Sequence, residues 1–146
     1  MIAIACDHGA LALKEAIKKH LTERGFEVRD FGTNSLDSCD YPDFAGPAAK
    51  AVGSGECERG IVVCTTGIGV SIVANKVKGV RCALLSDLMS AGMTRQHNDT
   101  NMMAMGAGVV GEMLALKIVD TWLDTPFEGG RHQRRVDKIT ALENEW

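Results

Sequence analysis

No stretch of this chain is apolar over enough residues to span a bilayer. No basic region or signal-peptide core precedes the first apolar run, Met1-Ile-Ala-Ile-Ala-Cys-Asp7, so the cytoplasm is the expected location. There is no basic excess either. The formal net charge is -3, which weighs against a nucleic-acid-binding protein. The five cysteines (Cys6, Cys39, Cys57, Cys64, Cys82) include no Cys-x-x-Cys pair. An odd, unpaired set fits a reducing compartment and neither a disulfide framework nor a zinc knot. The four histidines, His8, His20, His97 and His132, show no metal-ligand spacing. Internal repeats, linkers and low-complexity segments are absent.

What remains is an ordinary globular composition. The 146 residues are 45% hydrophobic and 24% charged, which predicts a single domain over 1–146 with a substantial core.

The chain is organised around Gly60-Ile-Val-Val-Cys-Thr-Thr-Gly-Ile-Gly-Val-Ser71. Ile61 to Val63 is a β-branched run of the kind found in parallel strands covered on both faces. Cys64 falls where that strand ends. Gly67 and Gly69 permit a tight turn that brings backbone N–H groups near a ligand. Ser71 is placed to cap the following helix. The product is a thiol beside backbone donors and the positive end of a helix dipole. Such a site suits proton abstraction with stabilisation of an oxyanion. The plainer reading of Cys64 is a small buried hydrophobe. No Gly-Lys-Ser/Thr follows and no third glycine is in register, so the loop is neither a Walker A loop nor a dinucleotide fingerprint.

Around this stretch, short apolar strands alternate with helices. Strands are expected at Ile2–Cys6, Phe26–Asp30, Ile61–Cys64, Val80–Leu85 and Met102–Met105. Helices are expected from Ala10 to Arg24, from Tyr41-Pro42 or Gly46 to Val52, from Ser71 to Lys76, from Asp87 to His97, from Gly111 to Leu123 and from His132 to Glu143. Pro47 would either open the second helix or distort it. His20 reads as a solvated surface residue. The alternation predicts an α/β/α three-layer, Rossmann-like sandwich on a five-stranded parallel sheet of order 2-1-3-4-5. In that order the ends of strands 1 and 3 flank the ligand crevice. Asp7-His8 and Cys64 to Gly69 should therefore meet. His97 reads alternatively as a helix C-cap, and Arg131 with Arg135, one turn apart, as a phosphate grip or a solvated basic patch.

Asp7-His8-Gly9, Asp40-Tyr-Pro-Asp43, Cys64-x-Thr-Gly-Ile-Gly69, Ala74-Asn-Lys76, Arg95-Gln-His-Asn-Asp-Thr-Asn101 and Glu128-Gly-Gly-Arg-His-Gln-x-Arg135 together resemble the ribose-5-phosphate isomerase B family, grouped with the galactose-6-phosphate isomerase subunits. The resemblance runs from Ile2 to about Asp137. It implies interconversion of ribose 5-phosphate and ribulose 5-phosphate through a cis-enediolate, without metal or organic cofactor. It implies Cys64 as base, His97 as the ring-opening acid and Thr66 as its assistant. The backbone from Thr65 through Gly67 and Ile68 to Gly69 would hold the enediolate. Asp7 and Asn98 would bind sugar hydroxyls, His8, Arg131 and Arg135 the phosphate, and Tyr41 would line the pocket. It also implies a homodimer, or a dimer of dimers, with the site between subunits. No nucleic-acid or membrane partner is implied.

Two positions depart from the pattern. Thr65 stands where the family usually has glycine, and a side chain there narrows the pocket. Gly108 stands where the family commonly has a phosphate-gripping arginine, a contact typically worth about 1.5–3 kcal/mol. Arg134 is the nearby candidate to replace it. The alternatives within the same chemistry are a tetrose phosphate, galactose 6-phosphate or allose 6-phosphate. Outside it lies a sugar-phosphate-binding domain without catalysis.

Overall fold

A computed structural model describes all residues, Met1–Trp146. The elements are β1 (Ile2–Cys6), a 3-10 turn (His8–Ala10), α1 (Leu11–Glu23), β2 (Val28–Asp30), α2 (Pro42–Gly53), β3 (Arg59–Cys64), α3 (Ile68–Asn75), β4 (Cys82–Leu84), α4 (Leu88–Asn98), β5 (Met102–Gly106), α5 (Glu112–Asp124) and α6 (Arg131–Glu143). All strand pairs are parallel.

The sheet order is β2-β1-β3-β5-β4, not the expected 2-1-3-4-5. Burial explains the difference. Every residue of β5, Met-Met-Ala-Met-Gly, is buried, so this strand needs a neighbour on each side. In the three-residue β4, Leu84 is 48% exposed, which suits an edge. The reversal between β1 and β3 survives this change.

Alternate strand residues feed two cores, as the period-2 geometry of a strand requires. Ile2, Ile4, Ile61, Val63, Met103 and Met105 pack with Leu13, Ile17, Ile118 and Trp122 of α1 and α5. Ala3, Ala5, Val62 and Cys64 face the other layer, with Ala48 and Val52 of α2 and Val70 and Ala74 of α3. Alanine on both sides of that layer brings α2 close to β1. Each fully buried Ile or Val contributes roughly 1.5–3 kcal/mol, so these layers dominate stability.

Helix α2 starts with Pro42 in its first turn and carries Pro47 inside it, one of the two expected placements. Other local details depart from the sequence expectations. Helix α3 starts three residues before Ser71, and Ser71 Oγ donates to the Ile68 carbonyl at 2.7 Å instead of capping the N-terminus. His20 is not simply solvated, for its Nε2 lies 2.7 Å from Asp120 of α5, which Arg24 also contacts. The first helix is split, with a 3-10 turn closing on Asp7 before α1 begins.

Candidate active site

Strand β3 delivers Cys64 to its carboxyl end, where the thiol is only 6% exposed. The chain then turns through Gly67, whose φ of 78° favours glycine. A β-carbon there would lie 2.6 Å from Leu84 and 2.7 Å from the Met105 backbone. The tight turn aims the Gly67 N–H at Cys64 Sγ, 3.1 Å away. A donor held on the sulfur by backbone accommodates negative charge there. Thr66 Oγ1 accepts from the Ile68 N–H at 3.2 Å, so its hydroxyl is oriented by the first turn of α3.

The loop after β5 buttresses this turn. Ala107 N–H donates to the Cys64 carbonyl and Gly108 N–H to the Thr65 carbonyl, both at 2.8 Å. Across the switch point, Asp7 Oδ1 accepts from Gly9 N–H at 2.9 Å, which leaves its other oxygen for a ligand. His8 Nδ1 accepts the Cys39 N–H at 3.2 Å, so a neutral His8 carries its proton on Nε2. The Tyr41 ring lies over Gly69, where a β-carbon would come within 2.8 Å of the ring.

Asp7, Tyr41, Cys64, Thr65, Thr66, Ile68, Gly69 and Ile72 line one open hollow of about 440 Å³. The structure therefore brings five of the ten expected binding residues, with Thr66, to the hollow of the expected base, and His8 is not on its lining. It does not bring them all. His97 and Asn98, in the last turn of α4, line a different hollow of about 400 Å³ beside Leu84, Met89 and Met93. Arg131 and Arg135 are exposed on the first turns of α6 and line neither hollow.

Two neighbours of His97 escaped the sequence reading. The His132 ring stacks on it, with centroids 4.3 Å apart and planes at 14°. Glu128 Oε2 lies 3.7 Å from His132 Nε2. Their four-residue separation was the signal available, but it straddles a turn and not a helix. Burial first, then the His97 and Arg131 charges, push His132 below the usual histidine range, against an opposing Glu128. His97, Glu128 and His132 bring ligand atoms within 4.8 Å of one another. Nearly parallel rings cannot both place a metal in plane, so this arrangement is a stack and not a metal centre.

The largest hollow, about 480 Å³, shares Ala83, Thr94 and Asn98 with the His97 hollow and lies between Val80 and the Ile139, Leu142 and Trp146 side chains. Cys82 on its wall is pushed up to about 12 by burial, which keeps it a thiol.

The family model described as Ribose/Galactose Isomerase matches residues 2–139. The ribose-5-phosphate isomerase B of Escherichia coli (strain K12) is 53% identical over 142 residues, covering 97% of this chain and 95% of that protein. The D-erythrulose-4-phosphate isomerase of Pectobacterium atrosepticum is 42% identical over 149 residues, covering 99% and 95%. Among solved structures, Mycoplasma genitalium ribose-5-phosphate isomerase B with bound ribulose-5-phosphate is 45% identical, with a TM-score of 0.96 and coverage of 99% and 97%.

Proposed function

Since the chain belongs to the ribose/galactose isomerase family and is a sugar phosphate isomerase, we propose that its reaction interconverts ribose 5-phosphate and ribulose 5-phosphate. The carrying observation is the Gly67 N–H directed at Cys64 Sγ in a hollow shared with Asp7, Thr66 and Tyr41. His97, assisted by Thr66, opens the furanose ring by giving a proton to its ring oxygen as the C1–oxygen bond breaks. The anomeric hydroxyl loses its proton to water, leaving the C1 aldehyde. The Cys64 thiolate then removes the C2 proton of the open aldose. Charge moves onto O1 and is held by N–H groups between Thr65 and Gly69. Return of the carbon proton from the Cys64 thiol to C1, with transfer of the O2 proton to O1, completes the ketose and regenerates the thiolate. Asp7 and Asn98 hold sugar hydroxyls. His8, Arg131 and Arg135 hold the phosphate.

The two hollows are reconciled by a homodimer acting in the cytoplasm, in which a second copy supplies His97, Asn98 and the arginines. A run of exposed apolar side chains supports it. Ile68, Ile72, Leu84, Leu88, Met89 and Met93 are between 38% and 73% exposed, around the edge strand β4. An exposed apolar edge of this kind is expected to be covered. No helix is long and apolar enough to cross a membrane.

A second reading, a four-carbon sugar phosphate, is favoured by the likeness to an erythrulose-4-phosphate isomerase. Initial rates on erythrose 4-phosphate and ribose 5-phosphate decide between them. A higher kcat/KM on the five-carbon sugar is expected, and the opposite ranking would replace the substrate while keeping the chemistry.

A further inference from the structure

Thr65 stands between two glycines that the proposed chemistry leaves unused. A methyl group on Gly9 would overlap Thr65 Oγ1. One on Gly108 would lie 3.1 Å from the Thr65 carbonyl oxygen and 3.3 Å from Cγ2. The Gly108 N–H also donates to that carbonyl at 2.8 Å, which fixes the second wall. Thr65 is thus a wedge, hydroxyl against the turn after β1 and methyl against the turn after β5. Its β-branched side chain has few rotamers to escape into. The same contacts account for glycine at both 9 and 108.

Thr65 directly follows Cys64, and Gly9 directly follows His8. The wedge thus touches the turn that carries His8, the proposed phosphate ligand, and adjoins Cys64, the proposed base. We propose that Thr65 sets the length of sugar phosphate this enzyme accepts, holding it to chains of four or five carbons by shortening the reach from Cys64 to His8. This inference rests on the isomerase reading above and deepens it. Thr65 is exposed on the hollow that holds Cys64 and is backed by Gly9 and Gly108, so an extra carbon on that side meets a side chain with no room to retreat behind it.

The test compares natural protein, Thr65→Gly and Thr65→Ala on erythrose 4-phosphate, ribose 5-phosphate and allose 6-phosphate. Removing the wedge is expected to raise kcat/KM for allose 6-phosphate relative to ribose 5-phosphate by about tenfold or more, mainly through KM. The alanine variant serves if the glycine variant does not fold. An unchanged ratio in the folded variant overturns the proposal while leaving the isomerase reading intact. Turnover of none of the three sugars by the natural protein overturns both. Melting temperatures test the packing separately from activity. Gly108→Ala should lower the melting temperature in the natural background and lower it less with Thr65→Gly. Equal losses in the two backgrounds would show that Thr65 does not fill that space, and would overturn the wedge.

Discussion

Cys64 is distinguished from the other cysteines by what surrounds its sulfur. Burial pushes Cys6 up to about 11, against the opposing influence of Lys14 and the Thr33 backbone. Burial alone pushes Cys82 up to about 12. Both stay protonated and inert near neutral pH. Cys64 instead receives a backbone donor in an open hollow. Brief iodoacetamide treatment followed by peptide mapping is therefore expected to label Cys64 and spare Cys6 and Cys82. Ribose 5-phosphate should protect Cys64. Labelling that ignores the sugar phosphate would place the reactive thiol outside the site.

A second residue-scale prediction concerns acid stability. Lys14 is fully buried and donates to both Asp30 carboxylate oxygens, at 2.9 and 3.0 Å, and to the Thr33 carbonyl. Burial by itself would raise the Asp30 carboxyl. Hydrogen bonds from Lys14, the Gly32 N–H and Lys18 outweigh it and hold the group below the ordinary 3.8. A carboxyl depressed in the folded state stabilises the fold above its unfolded pKa, and that stability is lost as pH falls below about 4. Asp30→Ala should destabilise by about 3 kcal/mol at neutral pH, because it leaves a buried ammonium without its main partner. Its urea midpoint should then vary less between about pH 5 and pH 3 than that of the natural protein. Parallel pH profiles for the two proteins would contradict this account.

At the scale of elements, the β3–α3 turn joins fold and chemistry. Gly67 adopts a left-handed φ in a space closed by Leu84 and Met105. Gly67→Ala should destabilise the fold by more than about 1 kcal/mol and depress kcat, because the N–H that faces Cys64 moves with the backbone. Calorimetry and steady-state kinetics on one preparation check both. An unaltered kcat would detach that N–H from catalysis.

This turn was legible in the sequence because strand, thiol and glycines are contiguous. The start of α3 was not. Gly67 opens the helix without a capping side chain, so Ser71 was the visible signal, and its hydroxyl is used within the helix instead. His20 failed for a different reason. Its partner Asp120 is distant in sequence, and no local pattern reports a contact across two helices.

At the scale of the whole molecule, the alternation of strands and helices was enough to give the layers and the switch point between β1 and β3. It could not order β4 and β5, since both are short and apolar. Their places follow from burial on both faces, which is a property of the assembled sheet. Nor does a linear motif say which copy of a chain a residue serves. His97 and Cys64 share one motif set but line separate hollows. The dimer reading predicts that Leu84→Glu with Met89→Glu gives a folded monomer with little isomerase activity. Light scattering and circular dichroism would monitor the state. A fully active monomer would show that one chain completes the site.

The central claim is that Cys64 is the base of a sugar phosphate isomerase. Its most direct test is ribulose 5-phosphate formation from ribose 5-phosphate by the natural protein and by Cys64→Ala, with melting curves recorded for both. A folded variant whose kcat is lower by about a hundredfold or more is the predicted result, the usual scale for removing a general base. A folded Cys64→Ala protein that keeps the natural rate would contradict it.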